Sequence, residues 1–178
     1  MTKYLLISGS PRKGNTDFVL SKVYESLNEK KELIFLRDLN FSHCKGCLTC
    51  YSTGACVIKD DMEQLFSSLL SADMIIIGSP LYYGNVSGLM KQFIDRTIPA
   101  YESKSLKDKQ LLSIMVGGGK VQVTEKFHRE AIKGFVKYNR LDLIETYNFE
   151  AFEADDLKQD VQSKMQISEI VRKINSCP

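Results

Sequence analysis

The sequence predicts an α/β fold, a three-layer sandwich with a five-stranded parallel sheet and helices on both faces. Short apolar runs alternate with longer amphipathic stretches from one end of the chain to the other. One of these runs, Met74–Gly78, is nearly all apolar, as a strand buried on both faces of a parallel sheet should be. Strict strand–helix alternation also requires right-handed crossovers, which place successive strands parallel. No internal repeat, low-complexity tract or linker divides the 178 residues, so a single domain over 1–178 is expected.

Tyr4–Ile7 is the first strand, and Leu20, Val23, Tyr24 and Leu27 give the following helix an apolar stripe at helical spacing. Leu33–Leu36 reads as the second strand. The segment from Arg37 to Lys59 reads as irregular and carries four cysteines. Met62, Leu65, Phe66 and Leu69 mark the second helix, before the strand Met74–Gly78. Val86, Met90, Phe93 and Ile94 lie on one side of a third helix. Leu111–Val116 is the fourth strand, and Phe127, Ala131 and Phe135 share a face of the helix after it. Leu141–Tyr147 suggests a fifth strand, and Ile167, Ile170, Val171 and Ile174 stripe the closing helix.

Composition narrows the function classes. With 43% hydrophobic and 26% charged residues the chain is an ordinary globular one. Its net charge of +2, with both signs interleaved, offers no basic stripe for nucleic acid or a membrane surface. No apolar run approaches a membrane span, and the opening run is too short for a secretory signal. A cytoplasmic setting is therefore expected, in which close cysteines read as metal-binding or redox-active.

In a doubly wound sheet, ligands bind beyond the carboxyl ends of the strands. The loop after the first strand, Ser8-Gly9-Ser10-Pro11-Arg12-Lys13-Gly14-Asn15-Thr16, combines two glycines with hydroxyl and amide donors. Inward-facing amides and a helix N-terminus suit an anion, and phosphate fits the donor count. Asn15 or Thr16 would cap the helix. The spacing lacks both the P-loop ending and the three-glycine dinucleotide fingerprint. These residues resemble the phosphate loop of the NAD(P)H-dependent FMN reductase-like branch of the flavodoxin superfamily. The resemblance implies that Ser8, Ser10, Arg12, Asn15 and Thr16 surround the phosphate of FMN.

After the third strand, Pro80-Leu81-Tyr82-Tyr83-Gly84-Asn85 offers aromatic faces beside a glycine, suited to a planar ring. This stretch resembles the second flavin loop of the same family, usually followed by a helix ending in Asp-Arg, here Asp95-Arg96. The resemblance implies that Pro80, Leu81, Tyr82, Tyr83, Gly84 and Asn85 contact the isoalloxazine ring. Asp95 and Arg96 are read as structural or interfacial. Gly117 and Gly118, after the fourth strand, match a loop near the pyrimidine edge of the flavin.

Cys44-x2-Cys47-x2-Cys50-x5-Cys56 is the most pointed motif. Four thiolates this close suit an iron–sulfur cluster or a tetrahedral metal, and their even spacing favours iron–sulfur over zinc. The segment looks like the compact cysteine motif of the iron–sulfur flavoproteins, which carry a [4Fe–4S] cluster next to FMN. Free or reversibly oxidised thiols, or another metal, stay open as readings. Neither His43 nor His128 belongs to a triad or zinc pattern.

The expected function is an FMN-dependent oxidoreductase. It would pass electrons from NAD(P)H through FMN to a quinone, nitroaromatic, metal ion, free flavin or redox partner protein. No protein nucleophile or general base is required, so no catalytic side chain is assigned. The alternatives are an FMN or iron–sulfur electron-transfer protein without nicotinamide activity, and a thiol-based redox sensor or interaction protein. A homodimer or homotetramer is expected, with Leu81, Tyr82 and Tyr83 at the interface.

Overall fold

The computed structural model describes residues 2–177. Its single sheet contains β1 (Lys3–Ser8), β2 (Lys30–Phe35), β3 (Met74–Pro80), β4 (Gln110–Gly117) and β5 (Asp142–Glu150). All strand pairs are parallel and the spatial order is β2-β1-β3-β4-β5. The order reverses at β1, so a crevice opens between the loops that follow β1 and β3. Around the sheet lie α1 (Asn15–Ser26), α2 (Thr49–Thr53), α3 (Met62–Ser71), α4 (Gly88–Arg96), α5 (Ile98–Ser103), α6 (Val121–Asn139), α7 (Asp156–Gln159) and α8 (Val161–Asn175). None of the described helices is long and apolar enough to cross a membrane.

Strand side chains alternate between faces, so the two faces of the sheet build separate cores. Leu5, Ile7, Ile75, Ile77, Leu111 and Met115 pack with residues of α3, α4 and α6. Tyr4, Leu6, Met74, Ile76, Leu112 and Ile114 pack with α1 and α8 on the other side. The edge strand β2 is only half-buried and begins at Lys30, earlier than its apolar residues indicate. At the opposite edge, the register slips where Leu111 and Leu112 pair with Leu143 and Glu145. The resulting bulge twists β5 away from edge-to-edge pairing.

All five expected strands and five expected helices are present. The segment read as wholly irregular also contains a 3-10 turn, Leu36–Asp38, and the short helix α2. The short helices α5 and α7 carry too little periodic sequence to have been anticipated.

Candidate functional site

The loop after β1 is held open by partners beneath it. The Ser8 hydroxyl donates to Asp17 Oδ1 at 2.6 Å and accepts the Ser10 N–H at 3.3 Å. Asp17 is gripped on its other oxygen by Arg37 Nη1 at 2.7 Å, and both side chains are mostly buried. Arg37 also reaches the Ser10 carbonyl at 3.4 Å. Above this bracing, the backbone N–H groups of Arg12 through Asp17 have no acceptor among the described residues. They head the 12-residue helix α1, where aligned peptide dipoles favour an anion.

This head of α1 forms one wall of a cleft of about 200 Å³. Ser10, Arg12, Gly14, Asn15 and Thr16 face Pro80, Leu81, Tyr82, Gly117 and Gly118 across it. The loops after β1, β3 and β4 thus meet at one place. Two seams hold them in register. Leu81 N–H donates to the Val116 carbonyl at 2.8 Å, extending the β3–β4 ladder by one residue. Ser87, the N-cap of α4, donates its hydroxyl to the Gly9 carbonyl at 2.6 Å and accepts the Met90 N–H.

Four residues expected at the ligand stand elsewhere. Ser8 is fully buried and occupied by Asp17, so it braces the loop and does not line the cleft. Tyr82 and Asn85 exchange both backbone hydrogen bonds, closing a tight turn with Tyr83 and Gly84 at its tip. Both tip residues have positive φ, 51° and 73°, and Tyr83 projects wholly into solvent. Gly84 lies against the Phe127 ring. The Asn85 side-chain oxygen Oδ1 accepts the following Val86 N–H. Tyr83, Gly84 and Asn85 therefore shape the rim without entering the cleft.

Asn15 lines the cleft but does not cap α1; Gly14 occupies the cap position without a side-chain bond. The Asn15 amide instead donates to the Glu153 carbonyl at 2.7 Å and accepts N–H groups of Asp155 and Leu157. It latches the loop after β5, a fourth contributor that sequence reasoning missed. Ala151 and Phe152 of that loop line the cleft, and the Phe152 ring lies over Gly118. A Cβ on Gly118 would fall 2.8 Å from that ring.

The cysteine segment forms a second site. Cys44, Cys47, Cys50 and Cys56 line one cavity of about 30 Å³, with Leu48, Ile58 and Ile98. The chain winds around it through three left-handed residues, Gly46, Leu48 and Gly54. Leu48 pays for that conformation without the freedom of glycine, and it leaves an apolar side chain exposed. Hydrogen bonds from Thr49 hold the Cys47 thiol below its ordinary pKa, with Lys45 adding its charge. Burial pushes Cys50 up, and the charges of Cys56, Cys44 and Cys47 push it further. Among the described residues, no three His, Cys, Asp or Glu side chains stand in a metal-binding arrangement.

The donor set nevertheless suits a thiophilic centre, since four sulfurs share one cavity and crowd one another's charge. The tip of this loop, at Cys47 and Leu48, is exposed.

The base of this loop is closed by an ion pair of buried Arg96 and partly buried Asp60. Arg96 Nη1 and Nη2 donate to Asp60 Oδ2 and Oδ1 at 2.7 and 2.9 Å. Nη1 also reaches the Ser42 carbonyl at 2.7 Å, while Asp60 accepts the Ser42 N–H at 2.9 Å. The guanidinium holds the Asp60 carboxyl below the usual carboxylate range.

The family described as NADPH-dependent FMN reductase matches residues 2–128, which hold the β1, β3 and β4 loops and all four clustered cysteines. The chain belongs to that family. An iron–sulfur flavoprotein of Archaeoglobus fulgidus is 43% identical over 98 residues, covering 53% of this chain and 48% of that protein. Another, from Methanocaldococcus jannaschii, is 34% identical over 134 residues, covering 71% and 69%. This FMN reductase family member thus spans about half the length of the first of these relatives. Among solved structures, the Trp repressor binding protein of Bacillus subtilis superposes with a TM-score of 0.71 at 18% identity. That match covers 98% of this chain and 99% of the other and supports the flavodoxin-like fold.

Within this family member, sequence reading missed Arg37, Asp60, Ser87 and Phe152. Ser87 alone had a local signal, a serine three residues before Met90 at the start of a helical stripe. Arg37 and Asp60 act through partners distant in sequence, and Phe152 sits in a loop that carries no glycine or phosphate signature.

Proposed function

We propose that this protein is an FMN-dependent oxidoreductase that takes electrons from NAD(P)H and delivers them to a small-molecule acceptor or a redox partner protein. The observation that carries this reading is the row of unpaired amides from Arg12 to Asp17 at the head of α1. Ser10, Arg12 and Thr16 stand with them in a cleft whose far side is built by Pro80–Tyr82, Gly117 and Gly118. That arrangement suits a phosphate at one end and a flat ring at the other. FMN bound there would supply the two-electron chemistry.

The protein's own contribution is binding and shape. Thr16 and the helix N-terminus hold the phosphate, and Ser10, whose hydroxyl donates to the Arg12 carbonyl, shapes the loop around it. The Leu81–Val116 hydrogen bond fixes the backbone on which the ring would rest. Tyr82 and Phe152, both exposed, flank the open side from which a nicotinamide would approach. The exposed tip at Tyr83 is suited to a second subunit. Relatives named iron–sulfur flavoprotein support a [4Fe–4S] centre on Cys44, Cys47, Cys50 and Cys56 as the second redox group.

The decisive experiment is a visible spectrum of protein purified without oxygen and supplied with FMN, followed by NADH and NADPH oxidation. Resolved flavin bands with steady nicotinamide oxidation support the proposal, and a broad additional absorbance that bleaches on reduction supports the iron–sulfur centre. Protein that retains no flavin overturns the central claim.

A further inference from the structure

We infer that Arg96 positions the fourth cysteine, donating an N–H···S hydrogen bond from Nε to the Cys56 sulfur once the thiolates are gathered. This rests on the reading that the cysteine loop holds an iron–sulfur centre. Arg96 ends helix α4 and is 2% exposed. Four of its contacts are already assigned: Asp60 twice, the Ser42 carbonyl at 2.7 Å and the Ile58 carbonyl at 3.5 Å. All of these use Nη1 or Nη2.

Nε is different. It is buried with no acceptor among the described residues, and leaving a buried donor unpaired is costly. Such a cost is understandable where a partner arrives later. Cys56 is the candidate, because it and Arg96 line the same cavity. A structural role alone explains Nη1 and Nη2, which join the entry of the loop at Ser42 to its exit at Ile58 and Asp60. It does not explain an idle Nε in a cavity that Cys56 also lines.

A donor to a ligating sulfur withdraws charge from the centre and makes it easier to reduce. Arg96→Lys keeps the positive charge and a contact to Asp60 but cannot supply Nε–H. Wild type and Arg96→Lys are reconstituted without oxygen with ferrous iron and sulfide. Iron per chain, the midpoint potential of the centre and the rate of iron loss to a chelator are then measured. The expected result is a loaded Arg96→Lys centre whose potential is more negative and which loses iron several-fold faster. Equal potential and equal loss rate overturn the inference and leave the iron–sulfur reading standing. Wild type that takes up no iron overturns that reading and the inference together.

Should Arg96→Lys not fold, wild-type protein labelled with 15N-arginine decides the matter. Pulsed electron paramagnetic resonance of the reduced centre should show coupling to a guanidinium nitrogen that is absent in Cys56→Ser. Lack of coupling in the wild type overturns the inference.

Discussion

Ser87 and Gly9 lie 78 residues apart and are joined by a 2.6 Å hydrogen bond from the serine hydroxyl to the glycine carbonyl. The same hydroxyl accepts the Met90 N–H, so one atom caps α4 and ties the loop after β1 to the loop after β3. Ser87→Ala strands both partners in a buried place. The expected loss is about 2 kcal/mol of stability, read by urea denaturation of the flavin-free protein. FMN affinity should fall with it, because the two walls of the cleft lose their seam. A variant with unchanged midpoint and affinity would show that packing alone sets the distance between the loops.

Two glycine substitutions separate folding from binding. Alanine at Gly9 places its Cβ 2.6 Å from Met90 Cβ and 3.3 Å from Met90 Cα, atoms that move only with helix α4. Gly9→Ala should cost about 1–3 kcal/mol through overpacking. Alanine at Gly118 meets only the Phe152 ring, which is 74% exposed and free to swing. Gly118→Ala should leave the unfolding midpoint nearly unchanged while weakening FMN binding in a fluorescence titration. Equal stability losses in the two variants would contradict this division.

Asn15 offers a test of the loop after β5. Its side chain makes three hydrogen bonds across to Glu153, Asp155 and Leu157. Asn15→Ala should cost about 1–3 kcal/mol and speed hydrogen exchange at the Asp155 and Leu157 amides. Asn15→Asp keeps the acceptor and adds a negative charge at the head of α1. It should bind FMN more weakly than Asn15→Ala, because the charge opposes the phosphate. The reverse ranking would place the phosphate away from this helix end.

The contrast between Asn15 and Thr16 also indicates what local sequence can convey. Periodicity located the strands because burial imposes it residue by residue; Met74 to Ser79 is buried without interruption, as its composition implies. The Gly- and Ser-containing loops were legible for the same local reason. Asn15 carried the signal of a helix cap, but a tertiary partner 138 residues away took its amide. The Arg96–Asp60 pair spans 36 residues and leaves no periodic trace in either segment. Helices as short as α5 and α7 are held by their neighbours, so their own residues need no helical pattern.

Ser10 and Thr16 should matter for the phosphate more than for the ring. Ser10 donates to the Arg12 carbonyl at 2.6 Å, so it also fixes the loop's shape. Thr16→Ala and Ser10→Ala should each weaken FMN several-fold, with riboflavin, which lacks the phosphate, affected less. Parallel titrations of the two flavins check this. Equal losses for both would move the phosphate to another part of the cleft.

His128 predicts a pH dependence of folding that is independent of the cofactor. It is fully buried, with Nδ1 2.9 Å from the Asn148 side-chain oxygen Oδ1 and Nε2 2.7 Å from the Ser113 hydroxyl. The two bonds are satisfied together by the neutral ring, with Nδ1–H donating to Asn148 and Nε2 accepting from Ser113. Burial lowers its pKa from the usual 6.5 to about 4. Between these values the unfolded chain binds a proton that the folded one refuses, so stability rises with pH across that window. The contribution is complete above about pH 6.5, and about 3 kcal/mol of it is lost by pH 4. Urea midpoints of wild type and His128→Gln between pH 4 and 7 isolate this group, since the carboxylates are common to both. The wild-type curve should fall more steeply toward acid, and parallel curves would mean that His128 stays solvated or charged in the folded protein.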